Sequence, residues 1–205
     1  MNEERPLIFH IDVNSAYLSW EAVARLKAGD SVDLRTIPSI VGGDQKKRHG
    51  IVLAKSLPAK KYGIYTSEPV SSALKKCPTL TIVPPNHQLY HENSQAFMEI
   101  LRRFAPVVEQ YSIDEAFADM SGTRLLYPSY MDAAKKIRDT IYNELSFTVN
   151  IGISTNKLLA KMASDFEKPG KIHTLFPKKF QKKCGPCRWK ICSLWATPPK
   201  TGSIF

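Results

Sequence analysis

The feature that most constrains the fold is a regular alternation of strand-like and helix-like segments between residues 78 and 166. Short runs rich in β-branched and aromatic residues alternate with longer segments whose apolar residues recur at helical spacing. The predicted order is strand 80–83, helix 87–104, strands 107–111 and 114–120, helix 131–145, strand 147–154 and helix 156–166. With an earlier strand at 7–13, this order predicts an α+β fold: a ferredoxin-like split βαβ arrangement with an antiparallel sheet and helices on one face.

The segment between the first strand and residue 78 predicts a small lobe inserted into that fold. Its first helix ends before Gly29, and two later short helices each open on a proline. Two apolar runs flank a Gly-Gly-Asp sequence and a basic tip, which is typical of a hairpin. The expected elements are a helix at about 15–28, hairpin strands at 37–41 and 51–54, and short helices at 58–62 and 69–76.

The net charge of +10 is weaker evidence for a nucleic-acid partner than the magnitude of this charge suggests. Residues 178–205 contain seven Lys or Arg and no Asp or Glu, so residues 1–177 carry a net charge of only +3. Because affinity for a duplex rises with the number of phosphates neutralised, we expect weak DNA binding by this part. The sequence has no apolar run of the ~20 residues that a membrane helix needs, which predicts a cytoplasmic protein.

Residues 178–205 differ abruptly from the rest of the chain. They hold three of the four cysteines and two of the three tryptophans. We predict that this tail is aberrant, an out-of-frame translation that begins in an adenine-rich stretch. The alternative is a zinc knuckle or redox pair built from Cys184, Cys187, Cys192 and His173, which a single Cys-x-x-Cys supports weakly.

Three acids, Asp12, Asp114 and Glu115, fall at the ends of strand-like apolar runs. Ionised acids are costly to bury unless a partner neutralises them, and oxygen ligands on neighbouring strands suit hard divalent cations. The alternative is that each acid only caps a helix or a turn. Adjacent strand residues point to opposite faces, so Asp114 and Glu115 face one metal only if the strand bends there.

Four motifs give the chain a resemblance to a known family. They are Ile-Asp-Val-Asn-Ser-Ala-Tyr at 11–17, Tyr-Ser-Ile-Asp-Glu-Ala-Phe at 111–117, Gly-Ile-Ser-Thr-Asn-Lys-Leu-Leu-Ala-Lys at 152–161 and Lys-Pro-Gly at 168–170. In this order and spacing they resemble the Y-family (DinB/UmuC-like, translesion) DNA polymerases over residues 6–177. The resemblance implies template-directed transfer of a nucleotide from a dNTP to a primer 3′-hydroxyl, as part of DNA repair and the SOS response to DNA damage.

The resemblance also implies a role for individual residues. Asp12, Asp114 and Glu115 fall on the acids that hold two Mg²⁺ ions, with the backbone carbonyl of Val13 as a further ligand. Tyr17 falls on the steric gate, an aromatic ring that leaves no room for a ribose 2′-hydroxyl. Without the resemblance, Tyr17 would be an ordinary residue of an amphipathic helix.

The triphosphate grip departs from the family pattern. Lys168 falls on a triphosphate-binding lysine, although a lone Lys is more often a solvated surface residue. Many relatives place a Tyr and an Arg where this chain has Leu57 and Lys60. Leucine cannot bond a phosphate and lysine lacks the bidentate fork, so Lys60 is expected to be a weaker phosphate ligand.

The resemblance divides the chain into a palm at 1–13 and 78–175 and fingers at 14–77. Relatives continue into a thumb and a little-finger domain that grips DNA, both of which are absent from these 205 residues. It leaves open whether this chain acts alone. The implied partners are primer-template DNA and dNTP, with a sliding clamp bound through the missing C-terminal region by an otherwise monomeric protein.

Two other functions compete with a polymerase. A palm-type nucleotide cyclase shares the sheet and the paired acids, but its Gly-Gly-acid-acid-Phe hairpin is absent. A non-catalytic module would keep the fold and bind a partner, and the intact acids argue against it. Mg²⁺-dependent binding of a nucleotide separates a catalytic site from such a module.

Overall fold

The computed structural model describes residues 6–43 and 50–177, which form two sheets and six α-helices. The hairpin tip at 44–49 and the tail at 178–205 lie outside the described residues, and with them the out-of-frame prediction and the three cysteines of the zinc alternative. The elements are β1 (Ile8–Val13), α1 (Ala16–Lys27), β2 (Ser39–Gly42), β3 (Val52–Lys55), α2 (Leu57–Lys61), α3 (Val70–Lys76), β4 (Thr81–Val83), α4 (His87–Phe104), β5 (Val107–Gln110), β6 (Glu115–Asp119), α5 (Tyr130–Leu145), β7 (Val149–Ser154), α6 (Lys157–Ser164) and β8 (Ile172–Thr174).

The larger sheet has five strands in the order β5-β6-β1-β7-β8. The first four strands pair antiparallel, whereas β8 pairs parallel with β7. This five-stranded sheet confirms the predicted α+β fold, and the structure places strand one, β1, at its centre. The sequence analysis missed β8, since a half-buried strand of three residues has too few positions to show a period.

One face of the five-stranded sheet carries the main core. Phe9 and Ile11 of β1 are fully buried there with Ile137 and Ile141 of α5. Both long helices begin at capping side chains, for example Ser129, whose Oγ accepts a hydrogen bond from the Asp132 amide at 3.2 Å. Apolar residues at helical spacing on α4 and α5 therefore cover this face, as predicted.

The prediction that the helices lie on one face is wrong for α6. This helix packs on the other face, directly against the backbone of β7 at Gly152. A Cβ atom built on Gly152 would lie 1.9 Å from the Ala160 carbonyl oxygen, so only glycine permits this approach. The Nδ1 atom of His10 and the Ser164 hydroxyl join β1 to the end of α6 at 2.8 Å.

A second sheet, in the order β3-β2-β4, forms a small lobe with α2 and α3. We call these five elements the small lobe. The predicted hairpin is confirmed by the antiparallel pairing of β2 with β3. The sequence analysis grouped the strand at 80–83 with the palm, whereas β4 pairs parallel with β2, with Ile82 beside Ile40. Ile82 packs against a separate apolar core of the small lobe, made of Ile40, Val52, Ala59, Ile64, Val70, Ala73, Cys77 and Leu80.

Candidate active site

Two of the three predicted acids lie directly opposite each other at the edge of the five-stranded sheet where β1 ends and β6 begins. Asp12 of β1 pairs with Glu115 of β6, and the Val13 amide donates to the Asp114 carbonyl at 3.0 Å. A tight turn precedes β6, in which the Ser112 amide donates to the Glu115 carbonyl at 3.1 Å. Asp114 therefore belongs to the turn and not to the strand, which removes the objection that neighbouring acids must face opposite ways.

Asp12 is a buried carboxylate, with 6% of its surface exposed. Burial raises its pKa to about 6, and the nearby charges of Glu115 and Asp114 act in the same direction. Lys168 opposes this shift by a direct hydrogen bond to the Asp12 carboxylate. Burial disfavours the charge of Lys168 in turn, but its bonds to Asp12 and to Asp165, the latter at 3.0 Å, raise its pKa.

Asn150 fixes the loop that carries Lys168. Its side-chain amide donates to the carbonyls of Ser164 and Glu167 at 2.8 and 2.7 Å, and its oxygen accepts from the Lys171 amide at 3.2 Å. Asn150 is also the β7 partner of Asp12. One buried amide therefore holds Lys168 in reach of Asp12, a positioning role that the sequence analysis missed.

Glu115 has its own lysine. The Lys161 ammonium lies 2.6 Å from the Glu115 carboxylate, and His10 Nε2 lies 3.8 Å from the same oxygen. Burial lowers the pKa of His10 to about 4, and the Lys161 charge adds to the effect. His10 is therefore neutral near pH 7, so Lys161 is the group that balances the charge of Glu115.

The donor set suits a hard divalent cation. Within residues 6–43 and 50–177 no three His, Cys, Asp or Glu side chains form a ready-made metal cage. Mg²⁺ does not need one, because it is usually bound through one or two carboxylates together with waters and substrate phosphates. Lysine ammonium groups already hold positive charge at both Asp12 and Glu115. These carboxylates therefore fit the predicted ions.

A pocket of about 570 Å³ lies between this sheet edge and the small lobe. We call it the junction pocket. Six of the seven predicted site residues line it, and Glu115 is the exception. The six are Asp12, Val13, Tyr17, Lys60, Asp114 and Lys168. A larger cavity of about 920 Å³ near Tyr127 and Phe176 contains none of the predicted residues and lacks the paired acids, so we place no chemistry there.

Tyr17 is held in the junction pocket by stacked aromatic rings. Its ring lies 4.5 Å from the ring of Tyr90, with 17° between their planes. The Tyr90 hydroxyl donates to the buried carboxylate of Glu21 at 2.8 Å. The Tyr90 ring therefore supports one face of the Tyr17 ring. A ring held in this way can limit the space beside its other face.

The small lobe supplies a basic wall to the same pocket. Lys60 of α2 lines it, and Leu57 lines it with 55% of its surface exposed. The sequence analysis did not single out Arg35 and Lys55, which also line it. Arg35 is committed elsewhere, since it bonds Asp33 and donates to the Ser146 carbonyl at 2.8 Å.

Residues 11–165 match the profile of the IMS, or impB/mucB/samB, family. The chain belongs to the impB/mucB/samB family. The matched residues include Asp12, Asp114 and Glu115, and therefore the whole acidic edge of the sheet.

Members of this family and solved structures share most of the chain. It is 52% identical over 180 residues to DNA polymerase IV of Clostridium acetobutylicum and 41% identical over 181 residues to DNA polymerase IV of Alkaliphilus oremlandii. Each match covers 88% of this chain but only 45% and 44% of the relative, so the chain spans less than half their length. A Y-family DNA polymerase chimera of known structure is 25% identical, with a TM-score of 0.75 over 86% of this chain and 50% of the other.

The fold of this impB/mucB/samB member is therefore that of the palm and fingers of Y-family polymerases. None of the helices in the described residues is long and apolar enough to span a membrane. Among the residues that the sequence analysis missed, Lys161 is the last residue of the motif at 152–161, and its place in that motif was the available signal. Asn150 and His10 had no such signal, because their partners lie far away in the sequence.

Proposed function

We propose that this chain is the catalytic part of a translesion-type DNA polymerase, which transfers a nucleotide from a dNTP to a primer 3′-hydroxyl. The observation that carries the proposal is the junction pocket, where acids suited to a metal face lysines suited to a phosphate. Asp12 and Asp114 line it together with Lys60 and Lys168. The relatives named DNA polymerase IV support the same activity.

The proposed roles follow from charge and position. Asp12, Asp114 and Glu115, with the Val13 carbonyl, would hold two Mg²⁺ ions, which would activate the attacking hydroxyl and stabilise the departing pyrophosphate. Lys60 and Lys168 would bind the triphosphate from opposite domains. Tyr17, supported by Tyr90, would contact the sugar and exclude a 2′-hydroxyl.

The Asp12–Lys168 and Glu115–Lys161 pairs explain how the site remains stable before substrate arrives. Without these ammonium groups, neighbouring carboxylates would repel each other in a half-buried environment. Lys168 is the more telling case, because it contacts Asp12 and lines the pocket where a triphosphate would lie. We propose that it moves from carboxylate to phosphate when the metal ions and the dNTP bind.

The proposal extends to the longer protein. DNA binding and contact with a sliding clamp would belong to thumb and little-finger domains that follow this segment in a monomeric, cytoplasmic enzyme. The low net charge of residues 1–177 fits a part that needs such domains to hold primer-template DNA.

The test is binding of a dNTP to the 205-residue chain with Mg²⁺ and with EDTA, measured by isothermal titration calorimetry. The proposal expects binding that requires Mg²⁺ and that is lost in Asp12→Asn. Glu99→Gln, an exposed acid on α4, is the matched control and should bind normally. A non-catalytic module predicts no Mg²⁺-dependent binding, and that result would reject the polymerase site.

A further inference from the structure

The junction pocket contains a lysine for which the motif comparison gives no role. Lys55 is the last residue of β3, whose residues alternate between buried and half-buried positions. Val52 packs in the core of the small lobe and Ala54 in the main core, because a register shift between Val41 and Gly42 interrupts the alternation of β3. Lys55 follows this shift, is half-buried and lines the junction pocket.

We propose that Lys55 is a phosphate-binding residue that contacts the triphosphate of the incoming nucleotide from the small lobe. The inference rests on the proposed function and adds a residue to it. It also explains how the pocket tolerates Leu57, an exposed apolar side chain at a position that cannot bond a phosphate.

Within residues 6–43 and 50–177, the Lys55 ammonium has no carboxylate partner to give up. It donates to the Thr66 hydroxyl at 3.1 Å, and Thr66 lines the same pocket. The acid that acts on its charge, Glu68, is instead bonded to Lys76 at 2.6 Å. A neutral hydroxyl orients the ammonium without neutralising it, which leaves its charge available to an anion.

The charges on this wall of the pocket also favour a polyanion. Burial lowers the pKa of Lys55, and the nearby positive charge of Lys60 lowers it further. Two ammonium groups that repel each other on one wall would both be stabilised by a polyanion between them. A triphosphate carries enough negative charge to bridge both lysines, whereas a monophosphate close to the sugar would reach fewer of them.

The experiment compares nucleotides that differ only in phosphate number. Binding of dGTP, dGMP and inorganic tripolyphosphate to the full 205-residue chain is measured by calorimetry with Mg²⁺. Lys55→Met removes the charge, Lys55→Arg keeps it, and Lys61→Met removes a charge from an exposed position of α2 outside the pocket. Thermal unfolding of each variant shows whether the fold is retained.

We expect Lys55→Met to weaken dGTP and tripolyphosphate binding about tenfold, as for loss of one charge-assisted hydrogen bond. Binding of dGMP should change less than about twofold, and Lys55→Arg and Lys61→Met should stay near the parent chain. Equal losses for dGTP and dGMP, or equal effects of Lys55→Met and Lys61→Met, would overturn the inference.

Other outcomes separate this inference from the function on which it rests. Normal dGTP binding by Lys55→Met, with clear binding by the parent chain, rejects the role of Lys55 and leaves the polymerase proposal intact. Weaker binding of primer-template DNA with unchanged dGTP affinity would also reject it, in favour of a DNA contact. Absence of dGTP binding by the parent chain would reject both.

Discussion

The five-stranded sheet and the small lobe place their charged residues in opposite ways. In the sheet the core is apolar, and the acids Asp12, Asp114 and Glu115 lie at one edge, where lysines pair with Asp12 and Glu115. In the small lobe the acid lies inside. Glu68 is 1% exposed and is bonded to Lys76 at 2.6 Å and to the Tyr65 amide at 2.9 Å.

This difference shows which charges are free to take part in chemistry. The sheet is stabilised by a large apolar core, so its edge acids can exchange lysines for other cations. The small lobe has a core of only eight buried residues, and its internal ion pair is part of the structure. We therefore expect edge charges to govern activity and the internal pair to govern stability.

The largest effect should come from removing an edge acid. In a protein that joins residues 1–177 to the C-terminal region of the Clostridium acetobutylicum relative, Asp114→Ala should lower primer extension at least about a thousandfold. Metal-assisted stabilisation of a transition state is worth several kcal/mol, and each ~1.4 kcal/mol is tenfold in rate. The control Glu99→Ala should extend normally. Near-normal extension by Asp114→Ala, or a large loss of its thermal stability, would break the comparison.

The stability of the five-stranded sheet should depend on the close packing of α6 against β7. Gly152→Ala places a methyl group 1.9 Å from the Ala160 carbonyl oxygen, and we expect a loss of about 3 kcal/mol in the free energy of unfolding. Urea unfolding measures the change. Gly122→Ala, whose added Cβ meets no atom of the described residues within 4 Å apart from its chain neighbours, is the control and should change stability by less than about 1 kcal/mol. Equal stability of the two variants would show that α6 is not held against β7.

The small lobe should depend on its ion pair. Lys76→Met leaves Glu68 buried without its cation, so we expect a loss of about 2 kcal/mol at pH 7, below the range for fully buried pairs because Lys76 is half-exposed. The exposed Lys75→Met is the control. Burial favours the neutral form of Glu68, but Lys76 and the Tyr65 amide outweigh it and lower its pKa below the ordinary 4.5.

The pH dependence follows from that direction. A lowered pKa in the folded state gives stability that is present above pH 4.5 and is lost as the pH falls through the folded-state pKa. The difference between the parent chain and Lys76→Met should therefore be largest near neutral pH and shrink below pH 4.5. Urea unfolding at several pH values tests this. A difference that is constant with pH would mean that Lys76 stabilises the lobe by packing alone.

The smallest of these effects should come from Tyr17, which stands between the two regions. In the same joined protein, Tyr17→Ala should raise ribonucleotide insertion relative to deoxynucleotide insertion by at least about tenfold, because the pocket loses the ring that limits space beside the sugar. Single-nucleotide insertion kinetics give the ratio. Tyr142→Ala, an exposed tyrosine on α5, is the control. An unchanged ratio would place the sugar discrimination on another residue.

Much of the five-stranded sheet could be predicted because its signals are local. The apolar run at β1, the long amphipathic patterns of α4 and α5 and their capping residues each lie within one segment. The placement of β4 could not be predicted. Its local sequence pattern would be the same whether Ile82 paired with Ile40 in the small lobe or with a strand of the larger sheet. Parallel pairing of two short strands has no signal within either strand.

The site shows the same division. The acids and Tyr17 were found from motifs, whereas Lys161 beside Glu115 and Lys168 beside Asp12 depend on contacts across 46 and 156 residues. The sequence showed only that a bend at Asp114 was required if both acids were to face one metal. Periodicity does not distinguish the last residue of a turn from the first residue of a strand. The gap therefore lies in long-range pairing, which also left Asn150 and His10 unrecognised.

The central place of β1 has a consequence for motion. With β6 on one side and β7 on the other, its backbone opens only if two neighbours release it. Amide hydrogens of Ile11 and Asp12 should therefore be among the slowest to exchange with solvent in the described residues, while those of the five-residue α2, which carries Lys60, should exchange fast. The junction pocket would then have one slow wall and one fast wall. The helix that carries Lys60 would then open many times for each opening of the strand that carries Asp12.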